Sequence, residues 1–93
     1  MKAVVSARSL EKAITQANMD DATLIELHSK ELVFRKGNNK VHSLYWEGYG
    51  PTSKHTYDRM KWLHLSRVLK QLEDQPITIS YEGDFIHIHE ALV

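Results

Sequence analysis

Apolar positions along the first half of the chain recur with two different periods. Leu10, Ala13, Ile14 and Ala17 stand three or four residues apart, which is the spacing of one helix face. Ser6 precedes this stripe and offers a hydroxyl to cap an unpaired backbone N–H, while Asn18 and Asp20-Asp21 close it. Before the helix, Lys2 to Ser6 reads as a short strand. After it, Thr23 to His28 alternates, with Ile25 and Leu27 on the more apolar side. Ser29-Lys30 is a tight polar turn, and Glu31 to Arg35 is the returning strand. Lys36-Gly37-Asn38-Asn39 is a strong hairpin signal, because Gly and Asn accept positive φ. Val41 to Trp46 is then a third strand. From Glu47 to His55 the pattern breaks, and Gly48, Gly50 and Pro51 predict a loop joining two halves.

The second half is expected to open with a strand around Arg59 to Leu65. Ser66 would cap a shorter helix carrying Val68, Leu69 and Leu72, closed by Asp74-Gln75-Pro76. Ile77, Ile79 and Tyr81 alternate along a strand, Glu82-Gly83-Asp84 is a turn, and Phe85 to His89 is the last strand. Its Ile86 and Ile88 share one face, with Phe85, His87 and His89 on the other. The predicted core is Val4, Leu10, Ile14, Ile25, Leu27, Leu32, Phe34, Leu63, Val68, Leu69, Leu72, Ile77, Ile79, Ile86 and Ile88.

The two halves also look alike in sequence. Met1 to Leu10 aligns without a gap against Met60 to Leu69, an offset of 59 residues, with Met, Lys, Arg and Leu identical. A repeated supersecondary unit predicts a pseudo-two-fold domain. The expectation is one α+β domain over residues 1–93, with pseudo-repeats 1–46 and 57–93. Two helices pack on antiparallel sheet, and Arg8 and Arg67 are counterparts.

Composition narrows the classes. A chain of 93 residues, 42% hydrophobic and 26% charged, suits one globular domain. Its formal net charge is zero, so nucleic acid could be met only through a local patch. The absence of cysteine excludes disulfides, thiolate zinc sites and cysteine nucleophiles. Ala3-Val4-Val5 is too short for a secretory core, and no apolar run approaches the roughly 20 residues of a membrane span. The expected location is cytoplasmic, with no membrane partner.

The element order, with Met1 to Leu10 and Met60 to Glu90 as the closest stretches, resembles one domain of a DNA sliding clamp. Met1 to Leu10 is similar to the start of a bacterial clamp subunit. Ser66-Arg67-Val68-Leu69-Lys70-Gln71-Leu72 and the strand pair across Glu82-Gly83 are similar to the second half of a clamp domain. The resemblance implies a DNA-clamp-like fold in which helices line a central hole and sheets form the outer wall. Clamps assemble six such domains from chains of two or three; a single-domain chain would need a homo-hexamer.

Four side chains then become candidates for duplex DNA. Arg8 and Lys12, four apart, share the helix face opposite Leu10 and Ile14, and Arg67 and Lys70 take the same part on the second helix. Contacts of this kind would be to the phosphate backbone and independent of sequence. A second basic group, Arg35, Lys36, Lys40, Lys54, Arg59 and Lys61, interleaves with Tyr45, Trp46, Tyr49 and Tyr57. It reads more simply as ordinary strand composition. Trp46 and Tyr49, in the Gly-rich loop, are candidate partner contacts, since aromatics are enriched at interface hot spots. His87 and His89 share a strand face, but two ligands fall short of a zinc site, so no metal or cofactor is assigned. His64 and Ser66 form no triad, and Gly48-Tyr49-Gly50-Pro51 lacks a phosphate-loop pattern. The expected function is non-enzymatic DNA association, with self-assembly into a ring. The alternatives are a clamp-like interaction module that binds or inhibits a replication or repair partner, and a small His-dependent metal-binding protein.

Overall fold

The computed structural model describes residues 1–82 and 85–90. The fold is α+β, with two helices packed on two antiparallel four-stranded sheets. The elements are β1 (Lys2–Ser6), α1 (Ala7–Met19), β2 (Leu24–Leu27), β3 (Glu31–Lys36), β4 (Asn39–Tyr45) and β5 (Glu47–Tyr49). They continue with β6 (Ser53–Thr56), α2 (Arg59–Gln71), β7 (Pro76–Glu82) and β8 (Phe85–Glu90). Sheet A has the order β5-β1-β7-β8 and sheet B the order β4-β3-β2-β6. The predicted turn at Gly83-Asp84 lies outside the described residues.

The stretch expected to be a strand over Arg59 to Leu65 is the first half of α2. No residue from Arg59 to Leu65 is β-branched, and Met, Lys, Leu and Arg are all good helix formers. The cap is Asp58, whose Oδ1 accepts from the backbone N–H groups of Met60 and Lys61 at 3.1 and 3.2 Å. Ser66 is therefore no cap. It is buried in mid-helix, with its hydroxyl donating to the Leu63 carbonyl at 2.7 Å. The apolar stripe starts earlier than expected, at Trp62, and runs through Leu65 and Ser66 to Leu69.

The expected loop over Glu47 to His55 contains two short strands. β5 adds to β1, and β6 adds to β2. Both lie at sheet margins and are mostly polar, so periodicity carries little trace of them.

The two halves are wired alike, though not at the offset the sequence alignment gives. β1 leads into α1 and pairs with β7, the first strand after α2; β6 leads into α2 and pairs with β2, the first strand after α1. The caps Ser6 and Asp58 differ by 52 positions. So do the left-handed residues that follow the helices, Asp21 (φ 55°) and Glu73 (φ 56°). The 59-residue alignment is thus displaced by seven residues and lays the strand β1 over the first turns of α2. At the offset of the caps Arg8 corresponds in position to Met60 and Arg67 to Thr15, so Arg8 and Arg67 do not hold matching positions in the two helices.

The core lies between the sheets and the helices. Leu10, Ile14, Ile25, Leu27, Leu32, Phe34, Leu69, Ile77 and Ile79 are buried as expected, and Leu63, Leu72, Ile86 and Ile88 partly so. Val4 and Val68 are instead 37% and 43% exposed. On β1 the inward positions are Ala3 and Val5, which turns Val4 outward by the two-residue period. Three aromatic residues join the core without having been expected there: Trp46, Tyr57 and Trp62. Phe34 meets Tyr57 edge-on at 5.6 Å, and Tyr57 stacks on Trp62 at 6.1 Å.

Candidate nucleic-acid interface

α1 buries Ala7, Leu10, Ala13, Ile14 and Ala17, so Arg8 and Lys12 point to solvent on the opposite face. α2 buries Trp62, Ser66 and Leu69, which leaves Arg67 and Lys70 exposed. The helices run antiparallel. Lys70 near the end of α2 reaches Glu11 near the start of α1 at 3.9 Å, and Arg59 at the start of α2 reaches Asp21 just beyond α1 at 3.5 Å. The Tyr57 hydroxyl donates to Asn18 Oδ1 at 2.6 Å and fixes that second end; burial pushes this phenol up to about 12. A shallow cleft at the first end is lined by Arg8, Glu11, Leu69, Lys70 and Glu73.

The charge of the chain is unevenly placed. α1 and α2 together carry six basic residues and one acidic one, Glu11. Asp20, Asp21 and Asp58 gather at one end of the pair and Glu73 and Asp74 at the other, which restores neutrality. The result is a basic middle with acidic ends. Arg8, Lys12 and Arg67 have no ion-pair partner among the described residues, whereas Lys70 is shared with Glu11. The helix pair thus brings the four expected basic residues onto one layer, three of them free to meet an anion. Met19 and Met60, each more than 70% exposed, lie at the end of the pair away from Arg8.

The second basic group is largely neutralised. Glu26, only 7% exposed on the outer face of sheet B, accepts from Arg35 Nε at 2.7 Å and meets His28 Nε2 at 2.9 Å, with Lys54 at 4.0 Å. The His28 hydrogen bond, then the Arg35 bond, hold its carboxyl below the ordinary value. Lys40 pairs with Glu31 and Arg59 with Asp21. Nothing in periodicity flagged Glu26. Its one signal was a charge between Ile25 and Leu27; the register that sets Lys54 of β6 beside it comes from the structure.

Of the two expected partner contacts, Trp46 is buried and only Tyr49 stands exposed. Trp46 is 1% exposed, and its indole N–H donates to the His28 carbonyl at 2.6 Å. Its own backbone N–H bonds Lys30 and that of Gly48 bonds Ser29, so the chain here is strapped over the β2–β3 turn. A Cβ on Gly48 would sit 3.1 Å from the carbonyl oxygens of both His28 and Ser29, which explains the glycine. Tyr49 is 68% exposed on β5, beside Tyr45 (67%), whose hydroxyl bonds Glu47 at 2.5 Å. Lys30 also bonds Glu47, at 3.0 Å, and the Tyr45 and Lys30 bonds together lower its carboxyl. His87 and His89 do share the outer face of sheet A, with rings 6.4 Å apart. No group of three or more metal-ligating residues occurs among the described residues, and no described helix is long and apolar enough to cross a membrane.

Comparison with protein-family models, with curated proteins and with solved structures gives no match for this chain.

Proposed function

We propose that this chain is a non-enzymatic, cytoplasmic DNA-associated protein, whose α1–α2 face meets the phosphate backbone of duplex DNA. One observation carries the reading: Arg8, Lys12 and Arg67 stand exposed on two adjacent helices, with no ion-pair partner among the described residues, in a chain whose net charge is zero. The exchange of β1 and β6 between the two halves supports the likeness to a sliding-clamp domain, and with it assembly of several copies into a ring. The helix face offers no base-reading device, so binding is independent of sequence and falls with salt. Each phosphate neutralised contributes about 0.9 to the slope of log affinity against log salt, which for three residues gives about −3. Fluorescence anisotropy with a labelled duplex at low and moderate salt tests this; no binding at low salt rejects it.

A second reading is favoured by Tyr45 and Tyr49, two exposed tyrosines flanking Glu47, the first at the end of β4 in sheet B and the second on β5 at the margin of sheet A. They suit an interaction module that binds or inhibits a replication or repair protein. Alanine at Tyr49 abolishes capture of such a partner on this reading, and unchanged capture rejects it.

A further inference from the structure

We infer that His87 and His89 are half of a divalent-metal site, completed by the same pair from a second copy of the chain across the open edge of β8. Cross-strand register places His87 beside Ser80 and Lys2, and His89 beside Thr78 and Val4. Both imidazoles therefore stand on the outer face of sheet A, while Ile86 and Ile88 pack against the core. The rings lie 6.4 Å apart and nearly parallel, at 22°. Rotation about χ1 and χ2 brings two such rings onto one ion, whose bonds to imidazole nitrogen are about 2.0–2.1 Å.

One copy is not enough. No third ligand joins the pair among the described residues, and a protein metal site takes three or four side chains. The backbone supplies the remainder. β8 is the outermost strand of sheet A and pairs only with β7 among the described elements. No described strand covers its other edge, and an edge of this kind is a template for a further strand. Antiparallel pairing of two β8 strands about Ile88 sets His87 opposite His89 of the second copy, in an isologous contact. Cβ atoms directly opposite are then about 4.5–5.5 Å apart, and those two residues apart on one strand about 6.6 Å.

Four imidazoles at the corners of such a rectangle, all rising from one surface, suit a tetragonal nitrogen set. That selects nickel(II) or copper(II) over tetrahedral zinc. The helices lie on the other side of sheet A, so the joined sheet carries both copies' helix pairs on one side. The site shares no residue with the helix face proposed for DNA and stands or fails apart from it.

Nickel(II) added to chelator-treated protein tests the proposal, with mass read by sedimentation and stoichiometry by titration calorimetry. The expected result is a doubling of the mass found without nickel, with one nickel per two chains and weaker binding of zinc. His87→Ala or His89→Ala lowers nickel affinity at least tenfold and abolishes the mass change, whereas His64→Ala, on the exposed face of α2, leaves both intact. Circular dichroism of each variant checks that it is folded. Unchanged mass with nickel, one nickel per chain, or a dimer that persists in folded H87A overturns the proposal.

Discussion

Trp46 donates its indole N–H to the backbone carbonyl of His28, 2.6 Å away and 18 residues earlier in the chain. This bond locks the segment after β4 onto the turn between β2 and β3. It also converts what reads as an exposed aromatic in a glycine-rich loop into a core residue.

Trp46→Phe keeps most of the apolar bulk but leaves the His28 carbonyl without its donor. The expected loss is about 1–3 kcal/mol, the cost of stranding a buried polar group. Trp46→Ala adds a cavity and costs about 3–5 kcal/mol. Urea denaturation measures both; near-wild-type midpoints would mean that Trp46 is not a core residue.

Asp58 and Ser66 separate two accounts of where α2 begins. Asp58→Ala removes the acceptor for the Met60 and Lys61 N–H groups and costs about 0.5–2 kcal/mol. Ser66→Ala places the best helix former in mid-helix and is expected to be neutral or slightly stabilising. The reverse ranking in thermal unfolding would move the cap back to Ser66.

Glu26 gives stability a pH dependence of definite sign. Its folded carboxyl is held below the ordinary value of 4.5 by the bonds to His28 and Arg35. The unfolded chain therefore binds the proton first on acidification. The contribution is complete above the ordinary value and is lost as pH falls through the lower folded value. Glu26→Gln costs about 1.5–3 kcal/mol at neutral pH, the range for hydrogen bonds to charged groups. The gap to wild type narrows toward pH 3 in denaturant titrations at a series of pH values; a constant gap would contradict the ionic role.

Charge reversal sorts the basic residues of the helix face. Arg8→Glu, Lys12→Glu and Arg67→Glu each weaken duplex binding and flatten its salt slope by about 1. Lys70→Gln has a smaller effect, because that ammonium is already shared with Glu11. Lys36→Glu, on the hairpin between β3 and β4, leaves binding unchanged. Equal effects at Lys36 and Arg8 would point to diffuse attraction and not to the helix pair.

The first half of the chain was legible because its signals are local. Leu10, Ile14 and Ala17 mark a helix face, Gly37-Asn38 marks a turn, and Ile25 and Leu27 alternate; all three patterns match the structure. The second helix was read half a helix late. Set against Lys2 to Ser6 by the 59-residue offset, Lys61 to Leu65 passes for a strand, and Ser66 resembles a cap. The decisive signal was Asp58 followed by seven residues without a β-branch. β5 and β6 were missed because three- and four-residue margin strands owe their existence to pairing partners distant in sequence.

The candidate site divides in the same way. Exposure of Arg8, Lys12, Arg67 and Lys70 follows from helical spacing, because the apolar stripe dictates which face is buried. The sequence by itself determined the α+β class, the first helix, the hairpin strands and the solvent face of the basic residues, since each depends on neighbours a few positions away. Only the tertiary structure decided that Trp46 is core, that Glu26 absorbs Arg35, that the halves correspond at 52 residues and that Lys70 is paired. Those outcomes depend on strand pairing and packing across the chain, where a carbonyl, a carboxylate or an open sheet edge meets a residue that no local pattern can place beside it.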